Sequence, residues 1–515
     1  MNGAEALLRT FAQAGVDTCF ANPGTTEIQL VAALDEVSEI RPVLSLFEGV
    51  CTGAADGYGR ITGRPALTLV HLGPGFANGL ANLHNARRAR SPIINLVGDH
   101  ASWHLAADAP LASDIVGLAS PMSNWVHSAK DADSLPADGA AAVAAALAPP
   151  GQVATLIVPQ DAQWSDSSGP APAPTPAAPA TVPAAAIDAA ASALRDSTSV
   201  AIMLGGPALR APALRAAQRV TAASGDRCRV FIETFGATRD AGRHLPDFPR
   251  LPYFPEPALE ALEGIDTLIL AGALDPVAFF GYPDTPSRLT PESAAVVTLC
   301  EPQHDCVAAL ETLADALGAP SDIALDERTA LEPASGELKV SSLGQALAAA
   351  IPENAIVVSE AATSAAAFEA LSAAANPHTT LGLTGGAIGQ GLPTAVGAAI
   401  AAPDQPVLCF EADGSGMYTV QSLWTMAREA LDVTVVIAAN DAYRILQAEL
   451  GRAGVDEPGP AARALTALSG PRLDWVTIAK GFGVPASQAT TADELNSALA
   501  NAVAEAGPHL IEALV

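Results

Sequence analysis

Helix-type and strand-type segments alternate along most of this 515-residue chain. Strands joined by helices form parallel sheets with helices on both faces, and such sheets bind ligands at the carboxyl ends of their strands. The strand-type segments fall into three groups along the chain: TCFANPG, VLSLFEG, ALTLVHLGPG and IINLVGD, then AIMLGG, RVFIET, TLILAG and AVVTLC, then AIVVSE, PVLCFEADG, VTVVIAAN and HLIEALV. We therefore predict an α/β protein of three doubly wound parallel-sheet domains.

Two stretches without a regular pattern separate these groups. The segment SDSSGPAPAPTPAAPATVPAAA, about residues 165–186, is too rich in Pro, Ala and Ser to form a core and has the composition of a semi-rigid linker. A looser connector, SDIALDERTALEPASGE, follows the second group. Since the chain is too long for a single core, we predict domains at residues 1–165, 187–320 and 338–515.

Charge, cysteines and hydropathy argue against several kinds of partner. Asp and Glu number 55 against 26 Lys and Arg, and the net charge of −29 argues against nucleic-acid binding, which needs clustered basic residues. The six cysteines form no CxxC pair and are typical of reduced thiols. No apolar run is long enough to cross a bilayer, and the amphipathic N-terminal pattern is unlike a signal peptide. We expect a cytoplasmic protein without a membrane partner.

Two neighbouring strand-type segments of the third group end in oxygen-bearing side chains. Asp413, Gly414 and Ser415 follow the first, and Asn440 follows the second 27 residues after Asp413. A glycine turn that opens a helix suits a diphosphate, because the backbone approaches closely and the helix N-terminus favours negative charge. The Asp413 carboxylate, the Asn440 amide oxygen and the Ala442 carbonyl would hold Mg²⁺, and the Ser415 hydroxyl would bond a phosphate oxygen. Taken singly, Asp413 is better explained as a helix N-cap and Asn440 as a turn residue, and only the whole pattern favours the metal site.

The whole pattern resembles the signature of thiamine diphosphate (ThDP) enzymes. In that family Gly-Asp-Gly-Ser is followed by a paired Asn; here Ala412 and Ala439 replace the first residue of each, and both side-chain metal ligands are kept. The resemblance covers the full chain and is to acetolactate synthase large subunits, benzoylformate decarboxylase and pyruvate decarboxylase, most of all to short acetolactate synthase large-subunit-like proteins. It implies that the first domain binds the pyrimidine and the third the diphosphate. It also implies a middle domain that is structural and in some members binds a nucleotide.

The resemblance assigns cofactor contacts one position at a time. Glu48, in LFEGVCTGAADGYGR, matches the glutamate that bonds the pyrimidine N1′ and favours the imino tautomer; otherwise it is a solvated charge or a cap. Gly386, in TGGAIGQG, matches the residue whose carbonyl accepts from the 4′-amino group. Ile388 matches the aliphatic side chain that supports the bent cofactor, and it also suits a core position. The positions that would wrap the diphosphate, largely through backbone N–H groups, are Tyr418, Tyr443, Arg444 and Ile445.

The substrate side resembles benzoylformate decarboxylase. Thr25, in NPGT, stands where that enzyme has a serine that contacts the substrate carboxylate. His71 matches a histidine of the same active site and suits a proton relay, although a histidine bonded to a backbone carbonyl is the alternative. His100 and His104 come next as candidates, and His244 is a candidate for a second histidine from the middle domain.

The sequence therefore predicts ThDP- and Mg²⁺-dependent decarboxylation of a 2-oxo acid, with release of an aldehyde or carboligation. Asp99 replaces a family glutamine of the pyruvate-condensing enzymes, and Asn124 and Trp125 stand where a lysine is expected, which favours the decarboxylase side. The alternatives are an acetolactate synthase subunit that condenses pyruvate, a 2-hydroxyacyl-CoA lyase and a catalytically silent ThDP-binding regulatory homologue. The family places the cofactor between two subunits, which implies a homodimer at least and a homotetramer as the expected assembly.

Overall fold

The computed structural model describes residues 1–325 and 328–515, which form two compact units. Unit 1 consists of Met1–Ala177, Ala330–Ser372 and Leu381–Val515, and unit 2 of Ala178–Thr329 and Ala373–Thr380. Two positions of the predicted second connector, 326 and 327, lie outside the described residues. None of the helices in the described ranges combines the length and the apolar character that crossing a bilayer requires.

The N-terminal part of unit 1 is a parallel sheet with the strand order β2-β1-β3-β4-β6-β5. Its strands are β1 (Thr18–Asn22), β2 (Arg41–Leu44), β3 (Ala66–His71), β4 (Ile93–Asp99), β5 (Trp125–Ser128) and β6 (Val153–Pro159). Its helices are α1 (Gly3–Gln13), α2 (Ile28–Glu36), α3 (Glu48–Thr62), α4 (Leu72–Ala89), α5 (Ile115–Ala119), α6 (Leu135–Ala146) and α7 (Gln160–Trp164). The four predicted strands are present, and β5 and β6 extend the sheet beyond the prediction.

Unit 2 contains a second parallel sheet, with the order β11-β10-β7-β8. The strands of this sheet are β7 (Val200–Leu204), β8 (Cys228–Ile232), β10 (Thr267–Ala271) and β11 (Ala295–Cys300), and unit 2 also contains the short strand β9 (Thr238–Ala241), which is not part of this sheet. Its helices are α8 (Ala184–Asp196), α9 (Ala211–Ser224), α10 (Pro255–Ala261) and α11 (Cys306–Ala316). All four strand-type segments of the second group are confirmed as members of this sheet.

The C-terminal sheet runs in the order β16-β17-β15-β14-β12-β13. Its strands are β12 (Ala355–Ser359), β13 (His378–Gly382), β14 (Val407–Ala412), β15 (Val433–Ala439), β16 (Ala486–Ala489) and β17 (His509–Leu514). The helices of this part are α12 (Val340–Ala350), α13 (Ala366–Leu371), α14 (Gly391–Ala401), α15 (Asp413–Gly416), α16 (Ser422–Arg428), α17 (Arg444–Arg452), α18 (Pro460–Thr466), α19 (Trp475–Gly481) and α20 (Ala492–Ala504). Since β14 and β15 are parallel neighbours, the two predicted ligand segments leave the sheet at the same edge, as expected.

Helices α3 and α14 pack against each other in unit 1 with their backbones almost in contact. A Cβ on Gly57 would lie 2.2 Å from the Thr394 carbonyl oxygen, and one on Gly397 only 1.8 Å from the Ala54 carbonyl oxygen. Helix α14 is buried from Gly391 to Ile400, which explains why its sequence is apolar on all sides. One hydrophobic core therefore runs through both sheets of unit 1.

Candidate active site

Asp413 is fixed where β14 and β15 leave the sheet. It is the first residue of α15 and is only 2% exposed. Its Oδ1 accepts a hydrogen bond from the Gly414 N–H (2.9 Å), and its Oδ2 accepts from the N–H groups of Asn440 (3.1 Å) and Asp441 (2.7 Å). Burial raises the pKa of Asp413, and these N–H groups act in the opposite direction. The carboxylate is thus held next to Asn440, as the predicted pairing of the two requires.

The remaining predicted metal ligands lie in the turn after β15. The Asn440 side-chain oxygen accepts a hydrogen bond from the Ala442 N–H at 3.0 Å, which leaves it one further lone pair. Across the described ranges there is no group of three or more His, Cys, Asp or Glu side chains that could hold a metal. One carboxylate, one amide oxygen and a backbone carbonyl nevertheless suit Mg²⁺, which takes few protein ligands and completes its shell with water and phosphate.

Two aromatic rings cover this turn. A Cβ on Gly414 would lie 2.4 Å from the Tyr443 ring, so glycine is required for that ring to pack here. The Tyr443 side chain hydrogen-bonds that of Tyr418, and burial raises the pKa of Tyr443. Tyr418 also packs on Gly389 and remains 55% exposed. The structure thus brings together two of the four residues predicted to wrap the diphosphate.

The other two lie at the start of the exposed helix α17. Arg444 is its first residue and points its guanidinium group at the side-chain oxygen of Gln447, 3.1 Å away. Ile445 is partly buried. Arg444 and Ile445 are the first two residues of α17, so their backbone N–H groups lie at the N-terminus of this helix.

Ser415 does not present its hydroxyl to the outside of the turn. The hydroxyl donates to Oε1 of Glu411, which also accepts the Ala412 N–H at 2.9 Å. Sequence reasoning did not single out Glu411, because an acid inside an apolar strand segment, CFEA, gives no sign of which way it points. Ser415 is itself 5% exposed. Its contact in the structure is therefore with a buried carboxyl group.

Glu411 faces a second buried acid, Glu360, at the end of β12. They are 0% and 4% exposed, and their carboxyl groups lie next to each other beside Gly391. Burial and the nearby Glu411 charge raise the pKa of Glu360 well above its ordinary value, and burial raises that of Glu411 to about 7. Two adjacent buried carboxyl groups cannot both ionise at low cost, so the pair holds a proton in common.

The loop from Thr384 to Gly391 is bonded to the protein at alternate residues. Side chains of α4 bind its carbonyl groups: His84 Nε2 at Gly385 (3.1 Å), Asn85 Nδ2 at Ala387 (2.7 Å) and Asn82 Nδ2 at Gly389 (3.2 Å). The N–H groups at 387, 389 and 391 are bound by the Asn85 and Glu360 side chains.

This alternation leaves two intervening residues for a ligand. Among the residues that the structure describes, no hydrogen bond is recorded for the backbone of Gly386 or Ile388. Gly386 has a φ of 77°, which only glycine adopts readily. The two positions predicted to contact the pyrimidine are therefore those whose backbone groups the protein leaves available.

Glu48 is the first residue of α3, four residues beyond the end of β2. Its side chain is buried, with 8% of the residue exposed, and Oε2 accepts a hydrogen bond from Asn78 Nδ2 at 2.9 Å. A Cβ on Gly75 would lie 2.8 Å from Oε1, so the start of α4 closely covers this carboxyl group. Asn78 was not predicted, since its contact depends on the crossing of α3 and α4.

His71 ends β3 and is held by Glu27, which the sequence analysis did not identify. Nδ1 of His71 lies 2.8 Å from Glu27 Oε2 and 3.1 Å from the Thr26 hydroxyl. Glu27 is fully buried, and its carboxylate also accepts the Gly24 N–H at 2.7 Å. Because Nδ1 is occupied, Nε2 is the ring atom available for proton transfer.

The neighbouring Thr25 side chain is exposed. Its hydroxyl is therefore available to a ligand, whereas the Thr26 hydroxyl is hydrogen-bonded within the protein. The pattern Gly-Thr-Thr-Glu at a helix start was the available signal for Glu27, because a glutamate at that spacing reaches back to the first N–H group.

The other histidine candidates lie elsewhere. The His100 and His104 rings meet edge to face at 5.4 Å, just beyond Asp99 at the end of β4. Burial raises the pKa of Asp99. Trp125 opens β5 and packs near His127. His244 belongs to unit 2, where burial lowers its pKa.

Both ends of the chain match families of known proteins. Residues 1–118 match the family described as thiamine pyrophosphate enzyme, N-terminal TPP binding domain, and residues 361–513 match its C-terminal TPP binding domain. The chain is 49% identical over 518 residues to a Mycobacterium tuberculosis protein named "Putative acetolactate synthase large subunit IlvX", covering 100% of this chain and 99% of the relative. It is 30% identical to benzoylformate decarboxylase of Pseudomonas aeruginosa, with 97% and 96% covered.

Solved structures agree in fold. A thiamine diphosphate-dependent 4-hydroxybenzoylformate decarboxylase of Rhodococcus jostii RHA1 matches with a TM-score of 0.86 at 25% identity, over 99% of this chain and 98% of that one. Benzoylformate decarboxylase of Polynucleobacter necessarius matches with a TM-score of 0.84 at 21% identity, over 100% and 99%. The likeness to both extends over all the parallel sheets.

Proposed function

Since this chain belongs to the thiamine pyrophosphate-dependent enzymes, we propose that it binds ThDP with Mg²⁺ and decarboxylates a 2-oxo acid. The product is an aldehyde or, after capture by a second carbonyl compound, a 2-hydroxy ketone. The observation that carries the proposal is that one compact unit combines a buried Glu48 carboxyl group with the Asp413–Asn440 pair at the ends of two adjacent strands. A catalytically silent relative that only binds ThDP would not require the proton transfer that Glu48 is proposed to assist.

The residues present suit the cofactor. Asp413, Asn440 and the carbonyl of Ala442 would hold Mg²⁺, and the buried Asp413 carboxylate contacts only N–H groups among the described residues. The available backbone of Gly386 and the side chain of Ile388 would receive the pyrimidine. When bound, ThDP supplies the nucleophile and the electron sink for decarboxylation.

The chain itself supplies proton transfers and orientation. Glu48, oriented by Asn78, would hold or release a proton at the pyrimidine N1′. His71, oriented by Glu27, would move a proton at Nε2. The exposed hydroxyl of Thr25 would bind the substrate carboxylate. A hydroxyl and an imidazole hold a carboxylate without a strong ion pair, which would stabilise the ground state and oppose loss of CO₂.

We propose a 2-oxo acid bulkier than pyruvate as substrate. Thr25 and His71 support this choice, because they match the decarboxylase side of the family. Two relatives are named for decarboxylation of benzoylformate and 4-hydroxybenzoylformate, which are aryl 2-oxo acids. Pyruvate condensation is the second candidate, favoured by the name of the 49% identical relative. Asp99, Asn124 and Trp125 weigh against it.

A competition assay tests the substrate. The purified protein is given ThDP, Mg²⁺ and equal concentrations of pyruvate and of aryl or branched 2-oxo acids, and CO₂ and products are measured. We expect the bulkier acids to be consumed first, with little acetolactate. Preference for pyruvate with acetolactate as the main product would establish the second candidate instead.

We also propose that the protein works as a homodimer or a larger homo-oligomer whose cofactor is shared between the N-terminal part of one subunit and the C-terminal part of another. Glu48→Gln and Asp413→Ala subunits are each expected to be inactive alone. Mixed dimers should regain part of the activity, because one of their two sites has both residues intact. No recovery in dimers that are shown to be mixed would place the site within one chain.

A further inference from the structure

The buried acids Glu360 and Glu411 lie between the two segments that face the proposed cofactor. On one side, Glu360 Oε1 accepts the Gly389 N–H at 2.8 Å and Oε2 accepts the Gly391 N–H at 2.5 Å. On the other, Glu411 accepts the Ser415 hydroxyl and the Ala412 N–H. The first acid therefore holds the pyrimidine-side loop, and the second holds the diphosphate-side turn.

The two acids meet only because the chain leaves room for them. A Cβ on Gly391 would lie 2.2 Å from Glu411 Oε2 and 3.0 Å from Glu360 Oε2. Glu411 Oε2 accepts no hydrogen bond from an N–H or hydroxyl group of the described residues, and the neighbouring polar group is the Glu360 carboxyl group. Their contact is thus a direct polar link between the two segments, in addition to the hydrogen bond that the Thr419 hydroxyl donates to the Gly389 carbonyl oxygen at 2.9 Å.

Burying two acids between these segments has a high desolvation free energy. Replacing buried ionisable pairs with apolar side chains of similar volume is often neutral or stabilising. The contact between Glu360 and Glu411 is therefore expected to have a role other than filling the space between the two segments. Its two ends reach the backbone next to Ile388 and the turn that begins at Asp413, and neither acid lies among the residues expected to touch the cofactor.

We propose that Glu360 and Glu411 are positioning residues that connect the pyrimidine-binding loop to the diphosphate-binding turn, so that both are set at the spacing of a single ThDP molecule. The inference rests on the proposed binding of ThDP. It predicts that breaking the link weakens binding of the whole cofactor much more than binding of its diphosphate part.

The test compares two probes by isothermal titration calorimetry: ThDP with Mg²⁺ and inorganic pyrophosphate with Mg²⁺. In Glu360→Gln the amide keeps a single acceptor oxygen, so one loop N–H loses its partner. We expect the Kd for ThDP to rise roughly tenfold or more, and that for pyrophosphate by less than about twofold. Equal changes for both probes, or none for either, would overturn the proposal.

Two further variants keep the test decisive if Glu360→Gln does not fold. Glu411→Leu fills the space without the link, whereas Glu411→Gln can donate to Glu360 and still accept from Ser415. We expect the ratio of the two Kd values to rise in the leucine variant and to stay near that of the unmodified chain in the glutamine variant. If both variants show the same ratio, the acids only fill space and the proposal is wrong.

The control is Glu512→Gln, since Glu512 is a buried acid of the same sheet that bonds Arg472 and Gln488 at 3.0 Å each. In Glu512→Gln the ratio of the Kd for ThDP to the Kd for pyrophosphate should not change. Failure of the unmodified chain to bind ThDP overturns the proposed function and this inference together. Normal binding with an unchanged ratio in the Glu360 and Glu411 variants overturns this inference alone.

Discussion

Glu27 holds the imidazole of His71 from a fully buried position, with its Oε2 2.8 Å from the ring Nδ1. A Cβ on Gly98 would lie 1.7 Å from Glu27 Oε1, so the end of β4 leaves this carboxylate no room to turn away. The buried Glu27 carboxylate therefore sets the orientation of the His71 ring through Nδ1, and the end of β4 holds that carboxylate in place.

Changes at this pair should lower turnover without lowering cofactor affinity. His71→Ala is expected to reduce kcat by roughly two to four powers of ten, because a general acid–base group is lost. Glu27→Gln should reduce kcat in the same direction by less, since the ring remains but is held differently. Steady-state decarboxylation and a parallel ThDP titration measure both effects. Full kcat in Glu27→Gln would show that the contact does not serve catalysis.

Asp413→Ala should abolish ThDP binding while the fold is retained. The variant loses the charged ligand of the proposed Mg²⁺ and three N–H contacts, all at the edge of an otherwise intact sheet. Circular dichroism reports the fold, and fluorescence quenching on titration with ThDP and Mg²⁺ reports binding. A variant that copurifies with one ThDP per chain would refute the metal assignment.

Glu48→Gln should keep the cofactor bound and slow removal of the proton at thiazolium C2. The rate of exchange of this proton with solvent deuterium, followed by NMR after acid quench, measures the step directly. Asn78→Ala, which removes the donor to Glu48, should slow exchange by a smaller factor. Unchanged exchange in Glu48→Gln would remove Glu48 from this role.

The stability of the cofactor-free protein should fall as the pH rises above the ordinary carboxyl range. The pKa of Glu360 is raised in the fold, so the native state keeps a proton that the unfolded chain releases above its pKa near 4.5. This contribution is complete below that value and is lost as the pH rises through the native pKa. Urea titrations across this range should show a smaller pH dependence in Glu360→Gln, and an equal one would contradict the assignment.

Gly397→Ala should destabilise unit 1 by a few kcal/mol, because the new methyl group would overlap the Ala54 carbonyl oxygen. Gly451→Ala is the matched control, since its Cβ would meet nothing within 4 Å on the exposed helix α17. There the change should be neutral or slightly stabilising. Thermal unfolding compares the two, and equal melting temperatures would argue against tight packing of α3 on α14.

The sheets were predictable because most of their central strands are buried on both faces and form apolar runs between turns. Each of the twelve strand-type segments contains or overlaps a strand, from β1 to β17. Strand β6, VATLIVP, was not predicted although it forms such a run and is buried throughout. Among the other omitted strands, β13, HTTLG, lacks such a run and is only partly buried. Strand β5, WVHS, is an exposed edge strand, which carries a weaker pattern for the same reason.

The site was predictable only where residue type and spacing carry the chemistry. Asp413 and Asn440 meet as their spacing indicates, and Glu48 lies at a helix start after a strand. The pattern Gly-Thr-Thr-Glu could indicate Glu27 as a helix cap but not its contact with His71, which is distant in the sequence. Glu411 could not be recognised, since the direction of its side chain depends on the sheet. Packing, rather than local pattern, decides such contacts.

The alternate bonding of the loop before α14 bears on how quickly the protein can take up its cofactor. Six backbone groups of that loop already have partners within the chain, so the loop does not have to be ordered when a ligand arrives. Ordering a flexible loop on binding would subtract from the affinity. At this loop, the cofactor would bind to a preformed surface, without coupled folding of the loop. The rate of binding would then be set by access to that surface.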